Sequence, residues 1–248
     1  RYIEQLAPYI GVLPMNQIYR GYGEHNKPTP LERFVLDRAK DRVSARTINY
    51  ALSILNIIGN KAVRRWRGAS GKPLIPFWNC VPLVDQEEGN ALGLKAKRAV
   101  GPISWEEQIL LFNELPEFNR DMCLFKVNTG CREQEVCQLR WSWLIQRDDG
   151  VWYFEIPKEF VKNRLRRVVV LNNIAKIVIQ KRMGSHPEFV FVYQSHPVNR
   201  MNDKAFRNAR KRASRKLPSL INAGIHSLKH TFGARLRVAG VPEEDRNF

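Results

Sequence analysis

The stretch TGCREQEVCQLRW, residues 129–141, places an arginine two positions past a glycine and then runs directly into an apolar helical turn. Residues 121–127 read as a buried helix. Gly130 reads as its left-handed stop, because glycine, lacking a Cβ, adopts positive φ without steric cost. A second helix begins near Arg132, and Val136 and Leu139 recur at helical spacing, which anchors that helix in a core. The Arg132 guanidinium is thereby held at the edge of a pocket by two packed elements, an arrangement suited to gripping an anion. Glu135, one helical turn on, can fix the orientation of the guanidinium. An ordinary ion pair at a helix start would look the same from this stretch alone.

A second segment bears on that choice. In IHSLKHTFGARLRVAGVP, residues 225–242, His226, Lys229 and His230 fall at i, i+3 and i+4 and so share one helical face. Leu228, Phe232, Leu236 and Ala239 are expected to form the buried face, with Gly240 ending the helix. Taken together, the two segments resemble the two signature boxes of the tyrosine recombinases, the phage integrase family, whose pattern is TGxRxxE followed much later by HxxRHTF. Both boxes occur in order and at about the right separation, and the resemblance covers most of the chain. It departs at one position, where Lys229 stands in place of the arginine. The fold that the resemblance implies is mainly α with a small antiparallel β-sheet (α+β), comprising a helical core-binding domain and an integrase-type catalytic domain.

Composition is compatible with that plan. A chain of 248 residues suffices for two modest domains, and 44% hydrophobic residues can supply a core for each. The net charge of +17 points to a polyanionic partner. The excess is shared, with 16 Lys and Arg against 8 Asp and Glu in residues 1–98 (+8), and 25 against 16 in residues 99–248 (+9). A DNA duplex touched by both halves suits this better than a single basic tail would. No apolar run approaches the roughly 18 residues of a membrane span, and no signal peptide opens the chain. The expected setting is the cytoplasm, as a bacterial or phage-encoded, nucleoid-associated protein without membrane contact. Cys80, Cys123, Cys131 and Cys137 form no CxxC pair and read as free thiols.

Along the chain, residues 1–68 read as the helical core-binding domain, incomplete at its N-terminus. A short amphipathic helix is expected at 30–39. A long one follows, capped by Ser44 and carrying the stripe Ile48, Leu52, Leu55, Ile58, Ala62 and Trp66. Arg64, Arg65 and Arg67 at its end either offset the helix dipole or contact phosphates. Residues 69–100, rich in Pro and Gly and without sustained period, read as a linker. Its basic end, Lys95, Lys97 and Arg98, would lie where a strap crosses the phosphates.

Residues 101–248 read as the catalytic domain, incomplete at its C-terminus. Ser104 and Glu107 have capping-box spacing, with Ile109 and Phe112 expected to pack inward. Strands are expected at 151–156 and 166–171, with Asn163 and Arg164 as a candidate turn between them, and again at 189–193. A capped helix is expected at 172–183. Arg200, Lys204, Arg207, Lys211 and Arg215 form one helical stripe and Phe206, Ala209, Ala213 and Leu217 the opposite one, as in a helix docked on a core with its basic face toward DNA.

The resemblance also implies a chemistry. A tyrosine hydroxyl attacks the phosphorus and leaves a 3′-phosphotyrosine, so that the strand can be rejoined with neither metal nor ATP and with no cofactor. Arg132 would clamp the phosphate, and Lys162, with Lys158 as its rival, would protonate the leaving oxygen. His226 would accept or relay a proton. Lys229 would replace the second arginine, keeping the charge but losing the bidentate fork. Glu135 and His230 would support the set without touching the phosphate. No tyrosine follows His226 in these residues, so the nucleophile is expected beyond Phe248, and the 248 residues alone are expected to be truncated and unable to cleave. The implied activity is that of a site-specific DNA recombinase, a prophage or genomic-island integrase. Its implied partners are double-stranded attachment sites, three further copies in a tetramer on paired sites, and DNA-bending or excision accessory proteins. The other reading is a DNA-binding protein on the same fold that cuts nothing. A metal-dependent nuclease fits less well, because no Asp, Glu and His cluster has ligand spacing.

Overall fold

The computed structural model describes residues 1–94 and 101–246. The chain divides into two compact units, residues 1–98 and 99–248. Lys95, Lys97 and Arg98 lie outside the described residues. Among the described residues, no helix is long and apolar enough to cross a membrane.

The first unit is helical, with α1 (Tyr2–Ile10), α2 (Pro30–Lys40), α3 (Ala45–Arg64) and α4 (Gln86–Ala91). The Thr29 side chain caps α2 and Ser44 caps α3, each oxygen accepting from a backbone N–H three residues on. Ile48, Leu52, Leu55 and Ala62 of α3 are buried, whereas Trp66, expected on the same stripe, lies past the helix end and is exposed. Arg67 donates to the carbonyl oxygens of Arg64 and Trp66, which gives it the task of satisfying the helix terminus. Arg64 and Arg65 remain exposed.

The stretch expected as a linker contributes to this unit. Val81, Val84 and Leu94 lie in the same core as α1, α2 and α3. Two asparagines of α3 hold the segment in place. Asn49 exchanges both hydrogen bonds with the backbone of Val84 at 2.8 Å, and Asn56 does the same with Val81 at 2.9 and 2.7 Å. Each amide thus acts as a strand-like partner for a chain without a strand neighbour. Arg20, nearly buried, reinforces the arrangement by pairing with Glu32 of α2 at 3.0 Å and with Glu88 of α4.

The second unit builds its core around α6 (Glu117–Thr129). Before it comes α5 (Trp105–Asn113), whose Ser104–Glu107 capping box has both reciprocal bonds. Phe112 is buried as expected, but Ile109 points outward at 58% exposure. After α6 come the short α7 (Glu133–Cys137) and an antiparallel sheet in the order β1 (Leu144–Gln146), β2 (Trp152–Ile156) and β3 (Arg167–Val170). Phe154 pairs with Leu144 on one side and Val169 on the other. Helix α8 (Asn173–Arg182), capped by Asn172, packs on α6.

The third expected strand shrinks to β4 (Val192–Tyr193), paired with β5 (His196–Pro197), because Phe189 is drawn into an isolated bridge with Arg140. The unit closes with α9 (Asp203–Ala213), α10 (Ile225–Val238) and α11 (Glu243–Arg246). Phe206, Ala209 and Ala213 of α9 are buried, while Lys204, Arg207 and Lys211, on the opposite face, and Arg215 beyond its end are exposed. Both expected faces are therefore present within α9, while Arg200, Arg215 and Leu217 lie beyond its ends.

Candidate active site

The site is assembled where the end of α6, the start of α7, strand β3 and helix α10 meet. Gly130 terminates α6 with φ +64°. A side chain there would have no room in any case, since a Cβ would lie 2.4 Å from the Phe232 ring of α10. Gly130→Ala therefore combines left-handed strain with a clash, and we expect it to destabilise the second unit by about 3 kcal/mol, read as a lowered thermal midpoint.

The turn places Arg132 as the N-cap residue of α7. Its backbone N–H donates to Glu135 Oε2 at 2.7 Å, and its Nη1 donates to Glu135 Oε1 at 2.8 Å. Glu135 is 2% exposed and also accepts from Arg167 Nη1 at 2.8 Å, through Oε2. Arg167 in turn donates to the Gly130 carbonyl at 3.2 Å. Burial pushes the Glu135 carboxyl up, but the Arg167 guanidinium and the bonds from Arg132 outweigh it and hold the carboxyl below its ordinary range. The carboxylate thus fixes one guanidinium from behind and another from the side. Arg132 keeps 31% of its side chain in solvent, available to an incoming anion.

Helix α10 packs along α6 and supplies the rest. Lys229 is half-buried, and burial followed by the charges of Arg167 and Arg132 pushes its ammonium down to about 8. His226 is lowered as well, first by the partial burial of its ring, then by His230 and the neighbouring cations Lys126, Lys229 and Arg132. Its ring meets that of His230 edge to face at 4.7 Å. His226 and His230 are exposed, so His230 is a surface neighbour of His226, not a core residue. Ser227, Leu228 and Thr231 are the buried residues of the helix, so of the four apolar residues expected to face inward only Leu228 is fully buried. Phe232 and Leu236 are half-buried and Ala239 is exposed, because α10 ends at Val238 and the chain turns away through Ala239 and Gly240.

Lys162 sits in the exposed loop joining β2 to β3, in a turn closed by the Arg164 N–H on the Val161 carbonyl at 2.9 Å. Lys162 and Asn163 are its central residues, one position earlier than the expected pair Asn163 and Arg164, and Arg164 follows at φ 55°. Lys158, the rival lysine, is exposed in a short 3-10 turn just before. Arg132, Glu135, His226 and Lys229 are brought together. Lys162 shares the hairpin whose Arg167 reaches Glu135. Arg200 lies 3.5 Å from Glu133, and Arg207 pairs with Asp203 within α9.

Sequence reasoning passed over two members of this cluster. Arg167 shares the inward face of β3 with Val169, two residues on, so the period-2 pattern already placed it on the buried side. Lys126, 1% exposed, donates to the Cys131 carbonyl at 2.6 Å beneath the turn, and burial pushes its ammonium down. Its position one turn after Met122 on a buried helix was the available signal. The neighbouring thiols are inert for the same reason, burial holding both Cys123 and Cys137 up at about 12.

Comparison with known proteins places this geometry. The chain is 30% identical to the integrase of Salmonella phage P22 over 142 residues, 53% of this chain and 35% of that protein, and so spans about a third of that relative's length. Among solved structures, it resembles the Tn1549 transposon integrase in complex with transposon right end DNA (TM-score 0.68, 17% identity, 100% of this chain and 82% of that one). It also resembles a lambda integrase dimer bound to a COC′ core site (TM-score 0.63, 16% identity, 99% and 81%). A third likeness is to the XerH site-specific recombinase bound to palindromic difH (TM-score 0.58, 16% identity, 86% and 60%). At these identities the likenesses establish the mainly helical, small-sheet fold. The pattern of the phage integrase family matches residues 106–245, over half of the chain and the whole stretch from Arg132 to Lys229, and the chain belongs to that family.

Proposed function

We propose that the protein is a site-specific DNA recombinase that cuts and rejoins strands through a 3′-phosphotyrosine. The observation that carries this reading is the Arg132 guanidinium, oriented by a buried carboxylate and partly open to solvent beside Lys229 and His226. A phosphodiester seated there would have its non-bridging oxygens against Arg132 and Lys229, where fixed positive charge lowers the energy of the pentacoordinate transition state. In the step, a bond forms between a tyrosine oxygen and phosphorus while the bond from phosphorus to the 5′ oxygen breaks. The phenol proton passes to the neutral His226 ring, and Lys162 gives a proton to the departing 5′ oxygen. Within residues 1–248 no tyrosine follows His226, so the reading needs a tyrosine from elsewhere in the protein or its assembly.

In this reading the first unit is the core-binding domain and residues 101–248 belong to the catalytic domain. Arg64 and Arg65 contact phosphates, as do Lys204, Arg207, Lys211 and Arg215 along α9. The partners are duplex attachment sites, other copies in a tetramer on paired sites, and DNA-bending or excision factors. The setting is the cytoplasm.

Lys229 gives the reaction a pH signature. Its ammonium, pushed down to about 8, is charged below that value and loses its charge as pH rises through it. Cleavage measured as kcat/KM should therefore fall on the alkaline side near that value, since this quantity reports the free enzyme. Lys229→Arg, charged throughout, should carry the plateau to higher pH. An unchanged alkaline limb in that variant would remove Lys229 from the phosphate seat.

To test the function itself, the full-length protein is expressed in cells, complexes are trapped with detergent, and the DNA attached to protein is sequenced. Adducts at a few discrete positions support a recombinase. Bound DNA without adducts indicates a protein that positions DNA and leaves it intact.

A further inference from the structure

Lys162 lies in an exposed run, residues 162–166, and a lysine on a four-carbon stem reaches many places, so something must fix where its chain leaves the fold. The residues just before it supply such an anchor. Val161 is buried at 4%. Phe160 stacks on Trp143 with ring centroids 5.0 Å apart, and the Arg140 guanidinium lies 5.4 Å from the Phe160 ring and 5.7 Å from Trp143. Arg140 also lies 4.7 Å from the Phe189 ring and forms an ion pair with Glu188. Two side chains, Trp143 and Arg140, thus meet Phe160 two positions before Lys162, and Phe189 and Glu188 hold Arg140 in turn. Nothing in their chemistry contacts the phosphate seat. At 38% exposure, Phe160 contributes little to the core.

We propose that the Arg140–Trp143–Phe160 stack is a positioning platform for Lys162, holding the start of the β2–β3 loop so that the ammonium reaches the leaving 5′ oxygen. The proposal rests on the assignment of Lys162 as the acid for that oxygen. A guanidinium within about 6 Å of an aromatic ring is attracted to it, so the Arg140, Trp143 and Phe160 contacts tie the start of the loop to the fold. Arg140, Trp143 and Phe160 are positioning residues, and their effect on the reaction passes through Lys162.

The test compares two substrates with the full-length protein. One is ordinary duplex DNA. In the other, the 5′ bridging oxygen at the cut is replaced by sulfur, which leaves as a thiolate and needs no proton. Phe160→Ala is expected to slow cleavage of the ordinary substrate about 10-fold, a part of what a general acid contributes. Most of that loss should be recovered on the sulfur substrate, with DNA affinity and thermal midpoint near those of the parent. Phe160→Tyr, which keeps the stack, should cleave ordinary DNA normally. A parental rate for Phe160→Ala on ordinary DNA, or an equal loss on both substrates, overturns the proposal. Lys162→Ala serves as the control. If its loss is not recovered on sulfur, the acid assignment itself fails, and the platform proposal falls with it for a distinguishable reason.

Discussion

Arg132→Ala is expected to lower the rate of strand cleavage about 10³-fold, the loss associated with removing one fixed donor to a transition-state oxyanion. The fold should survive, because the Arg132 side chain is 31% exposed and Glu135 keeps its second guanidinium at 2.8 Å. Affinity for DNA should change far less than rate, since in the proposed reading other cations would also contact the backbone and each would contribute only part of the binding. Arg132→Lys should fall between the two, because an ammonium retains the charge without the planar fork. Single-turnover cleavage and equilibrium binding, measured on the same preparation, separate these effects. A variant that loses both in proportion would mean that Arg132 serves only to bind.

Glu135→Ala is expected to have the largest effect on stability, roughly 3 to 5 kcal/mol, because it strands a buried charge. Arg167 is 7% exposed, and its Nη1 loses the Glu135 carboxylate while its Nη2 keeps a carbonyl at 3.2 Å. The backbone N–H of Arg132 loses its acceptor as well. Denaturant titration of the second unit reads the loss directly. Glu135→Gln should cost less, since an amide can still accept from one donor. The pH dependence gives a separate check. The Glu135 carboxyl is held below its ordinary range, so its stabilisation is present above the unfolded carboxylate value of about 4.3 and disappears as pH falls through the lower native value. The parent should therefore lose stability on acidification more steeply than Glu135→Gln, and equal slopes would contradict the arrangement.

Elements whose signals are local were legible in the sequence. The caps at Ser44, Ser104 and Asn172, the left-handed stop at Gly130 and the two faces of α9 depend on residues within a turn or two of each other, and all are present. The seat of the first unit's last segment was not legible, because Asn49 and Asn56 look like ordinary polar positions on a helix until the backbone of Val84 and Val81 arrives from 35 and 25 residues away. A Pro- and Gly-rich stretch without period can be a linker or an extended chain stapled to a neighbour, and only the partner's amides distinguish the two. Ile109 illustrates the opposite failure, since an apolar residue beside Phe112 was assigned to the core although the helix buries a narrower face.

The site divides in the same way. Arg132, Glu135, His226 and Lys229 stood in two short segments, and each segment keeps its internal geometry on folding. Arg167 and Lys126 belong to the same cluster but are recruited by packing between elements, and a charged residue at a buried position is visible in a sequence only after the burial pattern is known. Their positive charge adds to the effect of burial, Arg167 and Lys126 both lowering Lys229, and Lys126 lowering His226.

The central claim is that a phosphodiester is broken by this protein's own side chains with Arg132 as the clamp. It is tested most directly by incubating the full-length protein with a nicked duplex carrying its site, in EDTA, and resolving the products under denaturing conditions. A covalent protein–DNA adduct that forms without divalent metal and is lost in Arg132→Ala is the expected result. Bound DNA with no adduct from the parent, or an adduct undiminished in Arg132→Ala, would contradict it.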